Sequence, residues 1–230
     1  MTIFAIGDLH LSHHRDKTMD IFGGDWVNHT ARISDNWNRV VSAEDLVIVA
    51  GDISWAMHLS EALVDLKWLA ALNGSKLLVR GNHDYWWSSI SRVRALLPQS
   101  VYALQNDYFA WGDHLICGTR GWLCPGEEGF DDEHDLKIFR REVQRLQFSL
   151  ESTKDLEHSG IIAVLHFPPF NRNEKSSAFT ALLEQYGVKI CVFGHIHDSG
   201  REHIFQGIRN GVSYRFVAAD GIGFTPLKLV

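Results

Sequence analysis

The sequence predicts an α/β layered fold. Three observations carry that reading. Short apolar runs rich in Val, Ile and Leu recur along the chain. Stretches with helical periodicity separate several of them. The runs end, again and again, in a polar residue, usually just after glycine. Continuous apolar runs bounded by glycine mark strands buried on both faces. Their alternation with helices marks a layered α/β architecture.

The elements follow in order. Strands are predicted at 3–6, 46–50, 76–79, 115–117, 161–165 and 189–193, with a seventh at 214–219. Between the first two, Trp26, His29, Ile33, Trp37 and Val40 recur at helical spacing, with Asp25 as candidate N-cap. A second helix carries Leu59, Leu63, Leu66, Leu69 and Leu72 and stops at Gly74. A third carries Leu136, Phe139, Val143, Leu146 and Leu150, with charges on the opposite face. A fourth, shorter helix is expected over 176–186. No internal repeat or linker divides the chain, so 1–230 reads as a single domain. The segment 123–158 opens with Glu127, Glu128, Asp131, Asp132 and Glu133 and continues as the third helix. It reads as a surface insertion or a lid.

Composition removes several function classes. The 230 residues carry 22 basic and 28 acidic side chains, a net charge of −6, which argues against non-specific nucleic-acid binding. An apolar share of 45% with 22% charged residues belongs to a globular chain rather than a disordered one. Cys117, Cys124 and Cys191 form no CxxC pair, which argues against a disulfide framework or a cysteine zinc site and for a reducing compartment. The apolar start lacks a basic flank and is too short for a signal peptide. No run approaches the ~20 apolar residues of a membrane span. A cytoplasmic protein with no membrane partner is expected.

The 13 histidines gain meaning from position. The first strand runs into Gly7-Asp8-Leu9-His10 and the second into Gly51-Asp52. The third runs into Arg80-Gly81-Asn82-His83-Asp84, the fifth into His166, and the sixth into Gly194-His195-Ile196-His197. Ligands in layered α/β folds bind outside the carboxyl ends of strands. Asp8, His10, Asp52, Asn82, His166, His195 and His197 therefore form a candidate metal-ligand set. Carboxylate, amide and imidazole donors without thiolate suit Mn, Fe or Zn. Seven ligands exceed one tetrahedral ion. They suit two ions roughly 3.5–4 Å apart that share a carboxylate and a bridging water. Two aspartates leave such a site net positive, as an anionic phosphate requires.

These five blocks, in this order and strand context, resemble the signature of the calcineurin-like metallophosphoesterase superfamily. The resemblance covers residues 3–197. Within it, Gly51 to Met57 and Gly81 to Trp87 resemble a bacterial phosphoesterase subgroup of about this length. The resemblance implies a four-layer α/β/β/α sandwich of two mixed sheets flanked by helices. It implies one ion held by Asp8, His10, Asp52 and His197, and another by Asp52, Asn82, His166 and His195. It also implies that His83 hydrogen-bonds substrate or protonates the leaving oxygen, with Asp84 orienting its ring.

The chain departs from serine/threonine protein phosphatases, which carry Asp-Arg-Gly after the GD block and Glu after Asn-His. Here Ser54-Trp55-Ala56 and Asp84 stand instead. Arg80 matches the phosphate-holding arginine of those enzymes; a solvated strand-end arginine is the competing account. Arg120 closes the fourth strand and is a second candidate phosphate contact, against a structural ion pair. Trp55, Trp86, Trp87 and Trp122 neighbour the blocks and could form an aromatic wall for a base or lipid-like group, with core packing expected for at least two. His13 and His14 could touch substrate, with solvated loop residues as the competing account. His29 reads as a satisfied core or interface residue, and His203 among others as surface. The expected activity is hydrolysis of a phosphate ester with two divalent or trivalent ions, on a phosphodiester of small or nucleotide-like type. A phosphomonoesterase or pyrophosphatase is the alternative enzyme. A non-catalytic scaffold of the same fold is the alternative outside enzymes.

Overall fold

The computed structural model describes residues 1–14, 19–171, 173 and 176–230. Its strands are β1 (Ile3–Ile6), β2 (Leu46–Ala50), β3 (Ser75–Val79), β4 (Val101–Ala103), β5 (Tyr108–Trp111) and β6 (His114–Thr119). They continue with β7 (Gly160–Leu165), β8 (Ile190–Phe193), β9 (Gly207–Arg209), β10 (Val212–Phe216) and β11 (Leu227–Lys228). The helices are α1 (His29–Val40), α2 (Leu59–Ala71), α3 (Ile90–Leu96), α4 (Asp135–Glu151) and α5 (Ala178–Gln185). The chain forms two units, Met1–Ala103 with Val217–Val230, and Leu104–Phe216. The first is discontinuous, which is why no linker is visible in the sequence.

Unit 1 is a mixed five-stranded sheet ordered β11-β1-β2-β3-β4. β1 to β4 run parallel, with Ile3 opposite Leu46, Leu46 opposite Ser75 and Lys76 opposite Val101, while β11 pairs antiparallel to β1. The apolar runs are buried along their length, as strands covered on both faces must be. Phe4, Ile6, Val47, Val49 and Leu78 share one core with Ile33 and Trp37 of α1 and with Leu59, Ala62, Leu66 and Leu69 of α2.

α1 begins later than its periodicity suggests. Trp26 belongs to a short 3-10 turn (Gly24–Trp26), and Asn28, at φ 54°, occupies the N-cap position of a helix starting at His29. Trp26 is buried from that turn rather than from the helix, so its spacing mimicked a helical stripe. The Asp25 side chain lies outside the described residues. α2 buries Leu59, Ala62, Asp65, Leu66 and Leu69; Leu63 is half-buried and Leu72 lies beyond the helix.

Lys76 is a fully buried cation within β3. Its Nζ donates to the carbonyls of Ala70, Leu72 and Gly74, where α2 ends with acceptors unmatched. Burial lowers its pKa from 10.5 to about 8.

Unit 2 is a mixed six-stranded sheet ordered β5-β6-β7-β8-β10-β9. β6, β7, β8 and β10 are parallel, and the edge strands β5 and β9 are antiparallel to their neighbours. The expected run 214–219 contributes its first residues to β10 and then leaves the sheet. α4, inside the segment read as an insertion, is tied to β6. Ser149 Oγ accepts from Gly118 N at 2.9 Å, and Thr119 Oγ1 donates to the buried Glu142 at 2.6 Å. The three cysteines are free and buried, and burial pushes the Cys117 and Cys124 thiols up to about 12.

Candidate metal centre

Parallel strands put their carboxyl ends on one edge of each sheet, and both edges carry the polar blocks. In unit 1 that rim holds Asp8 and His10 after β1, Asp52 after β2, and Arg80, Asn82, His83 and Asp84 after β3. Backbone bonds lock the first two loops together. Asp8 N donates to Gly51 O at 2.9 Å and His10 N to Asp52 O at 2.9 Å.

Asp8, His10, Asp52 and Asp84 are all buried. A donor atom of Asp8 and one of His10 lie within 4.8 Å of each other. His10 Nε2 stands 3.9 Å from Asp52 Oδ2. Several carboxylates withdrawn from water at one rim are costly unless cations compensate them. The set therefore fits hard or borderline metal ions.

The backbone carries a second mark. Asp8 (φ 58°), His10 (φ 46°) and Asp52 (φ 49°) all sit in the left-handed region, as does His195 (φ 76°) in unit 2. Non-glycine residues rarely adopt it, and such strain concentrates at functional sites. Gly81 solves a different problem. A Cβ there would lie 2.1 Å from Asp52 Oδ1 and 2.2 Å from Asp52 N. Only glycine lets the third block approach the second this closely.

Asp84 braces the rim. Its Oδ1 accepts from Ile53 N (2.9 Å), Ser54 N (3.1 Å) and Trp86 Nε1 (2.9 Å), and its Oδ2 from Gly81 N (2.8 Å). Those four donors are backbone and indole groups, so Asp84 holds the turns that carry the blocks rather than the ring of His83. Burial pushes its carboxyl up to about 6, and the Asp52 charge adds to the rise. His83 itself is positioned by its backbone, with N donating to Asp52 Oδ1 at 2.8 Å. Trp55 sits against both imidazoles, 5.0 Å from His10 in a stacked pose and 4.6 Å from His83. Trp86 and Trp87 are core residues. Arg80 is half-buried, and its Nε has no hydrogen-bond partner among the described residues.

Two braces stand behind these residues, and the sequence placed His29 in the core without revealing its partner. His29 is buried, and its Nε2 hydrogen-bonds the Leu9 carbonyl at 3.1 Å, between Asp8 and His10. Burial lowers its pKa, so it serves as a neutral strut. Asp65 on α2 is fully buried and receives His13 N (2.8 Å), His13 Nδ1 (2.9 Å) and Ser54 Oγ. Burial alone would raise its carboxyl, but the bonds from His13 and Ser54 outweigh it and hold the group below its usual range. A carboxylate on the apolar stripe of α2 was the available signal.

In unit 2 the rim holds Arg120 after β6, His166 after β7, and His195 and His197 after β8. His166 is buried; His195 and His197 are half-buried. His195 Nδ1 faces His166 Nε2 at 3.2 Å, so two imidazole nitrogens converge on one point. Loop bonds fix them: His166 N donates to Arg120 O at 2.9 Å and Gly194 N to His166 O at 3.0 Å. The Arg120 guanidinium lies 3.5 Å from Glu142 and 4.5 Å from the Trp122 ring, which is the structural ion pair weighed against a phosphate contact. Trp122 also donates to Asp135 at 3.0 Å.

Two mixed sheets with helices, and acid and imidazole donors at strand ends, define a layered α/β protein with a candidate metal site. The model of the calcineurin-like phosphoesterase family matches residues 1–199. The chain belongs to that family, whose members are metal-dependent phosphoesterases. A curated relative, the gene 66 protein of Mycobacterium phage L5, is 34% identical over 77 residues, 34% of this chain and 37% of that protein. This chain thus matches little more than a third of that relative's length. Among solved structures, the phosphopantetheinyl hydrolase of Mycobacterium tuberculosis is similar at 17% identity and TM-score 0.61, over 100% of this chain and 95% of that one. The protein TT1561 of Thermus thermophilus is similar at 13% identity and TM-score 0.56, over 85% and 81%. These two likenesses concern the fold. No helix among the described residues is long and apolar enough to cross a membrane.

Proposed function

We propose that this chain is a dinuclear metal-dependent phosphoester hydrolase that prefers phosphodiesters of small or nucleotide-like type. The observation that carries the reading is the left-handed backbone at Asp8, His10, Asp52 and His195, four members of the candidate ligand set. In this reading one ion takes Asp8, His10, Asp52 and His197, and the other takes Asp52, Asn82, His166 and His195. Manganese, iron and zinc all suit these donors. When bound, the ions supply Lewis-acid charge neutralisation and lower the pKa of water.

The chain's own groups do the rest. Asp52, immobilised by its strained backbone and by His83 N, sets the spacing of the ligands. Arg80, which follows β3 at the same rim, offers its guanidinium to a non-bridging phosphate oxygen. His83 donates a proton to the departing alkoxide oxygen. Trp55 supports the preference for diesters. It places an apolar ring against His10 and His83, at the block where protein phosphatases carry arginine. A singly charged diester needs fewer cationic groups than a doubly charged monoester.

The test is turnover of bis(4-nitrophenyl) phosphate against 4-nitrophenyl phosphate with added manganese. The reading expects diester turnover that a chelator abolishes and manganese restores. Faster monoester turnover would favour the monoesterase. Inert, metal-free protein after manganese loading would favour a scaffold.

A further inference from the structure

Unit 2 contains a cavity of ≈ 210 Å³ that the phosphate chemistry leaves unused. Its walls include Leu123, Phe167, Phe170, Phe193, Ile204 and Phe205. The space is an open recess rather than a sealed void, and concave, mostly apolar recesses with a few polar groups are where small ligands bind. At ~30 Å³ per small group it has room for about seven non-hydrogen atoms.

Its position supplies the explanation. Phe167 follows His166 directly, and its ring packs on the His195 imidazole with centroids 3.9 Å apart. Phe193 ends the strand that delivers His195, and Ile196, between His195 and His197, also lines the space. The cavity therefore lies one ring's thickness from the histidines proposed to hold metal.

Its charge is informative as well. Among the described residues, Glu127 and Glu128 are the acidic groups of the lining. The nearby Arg209 guanidinium covers the Phe205 and Phe170 rings, 4.0 and 5.1 Å from their centroids, and is not itself part of the lining. A second anionic group entering here would meet like charge beside apolar walls.

We propose that this cavity is the subsite for one alcohol arm of the phosphoester, and that it selects a neutral, apolar arm of about seven non-hydrogen atoms. This rests on the phosphoester-hydrolase reading above. It narrows the substrate class to esters in which the phosphate is the only anionic group near that arm. Nucleoside polyphosphates and sugar bisphosphates place a second anion too close.

The test uses alkylphosphonates on the manganese-loaded full chain, with binding read by calorimetry and therefore independent of turnover. The series runs from methyl- to hexylphosphonate, with 5-carboxypentylphosphonate as the charged comparison. Each methylene leaving water is worth roughly fourfold in affinity. Hexylphosphonate should bind up to about a thousandfold more tightly than methylphosphonate, with the carboxylate falling back towards methyl. Ile204→Trp and, independently, Leu123→Trp should flatten the series, with circular dichroism confirming that each variant is folded. A flat series in the wild-type protein overturns the subsite. So does equal binding of the carboxylate-ended arm, or an undiminished slope in whichever tryptophan variants fold. Failure to hydrolyse any nitrophenyl ester would instead strike the phosphoester reading and leave the phosphonate ratio to judge the cavity.

Discussion

Replacing Gly81 by alanine is the sharpest local perturbation available at the rim. The added Cβ would lie 2.1 Å from Asp52 Oδ1 and 2.2 Å from Asp52 N. Real Cβ atoms essentially never come so near another heavy atom, so the backbone or the carboxylate must move. The carboxylate cannot swing away freely, because Oδ1 accepts from His83 N at 2.8 Å. Nor can the amide, because Asp52 already holds φ 49° and its carbonyl accepts from His10 N. Overpacking of this kind costs about 3 kcal/mol. For a chain of this size that lowers Tm by roughly 6–12 °C. A displacement of the proposed bridging ligand by about 1 Å should reduce kcat/KM about 10²-fold. Gly7→Ala is the control, since its nearest neighbours, Ala50 Cβ and O, lie at 3.3 Å. Differential scanning calorimetry, manganese content and diester turnover would be read on all three proteins. Gly81→Ala with wild-type Tm, metal content and turnover would refute the close-approach argument.

Other expectations follow from single groups. Asp84→Asn leaves one oxygen where two serve four donors, and should cost about 3 kcal/mol in urea unfolding; a change under about 1 kcal/mol would contradict the brace. His83→Ala should retain metal and lose about 10²–10⁴ in kcat, and full activity would remove its proton-donor role. Lys76 has a folded pKa of about 8 against 10.5 unfolded, so its charge opposes folding below pH 8. That cost is relieved as pH rises from about 8 to 10.5, where the unfolded chain binds more protons. Relative to Lys76→Met, the wild-type protein should therefore gain up to about 3 kcal/mol between about pH 7 and 10.5. A pH-independent difference between the two would mean that the carbonyl cage fully offsets the burial.

The fold was legible where one force dominated. Parallel strands buried on both faces are mostly apolar, so β1, β2, β6, β7 and β8 stood out as apolar runs, as did β3 apart from its buried Lys76. The strands that did not stand out are short or sit at edges. β5 alternates exposed and half-buried residues, and β11 has two residues. α3, seven residues with one buried side chain, offers too short a stripe to register. The candidate ligands were legible because glycine and a polar residue at a strand end are both dictated by the site. The braces behind them were less so. His29, Asp65, Glu142 and Ser149 lie on helices, and their partners come from distant turns that no local spacing reveals. Asp84 was legible as a site residue, yet its bonds go to Ile53, Ser54, Gly81 and Trp86, which only the folded rim brings together.

The proposed two-ion centre would depend on Asp52 as a shared ligand. Metal content, measured by mass spectrometry after manganese loading and gel filtration, should therefore differ between wild-type and Asp52→Asn protein. Two ions per chain are expected in the wild type and at most one in the variant. A single ion in a fully active wild type, or two ions retained in Asp52→Asn, would contradict it.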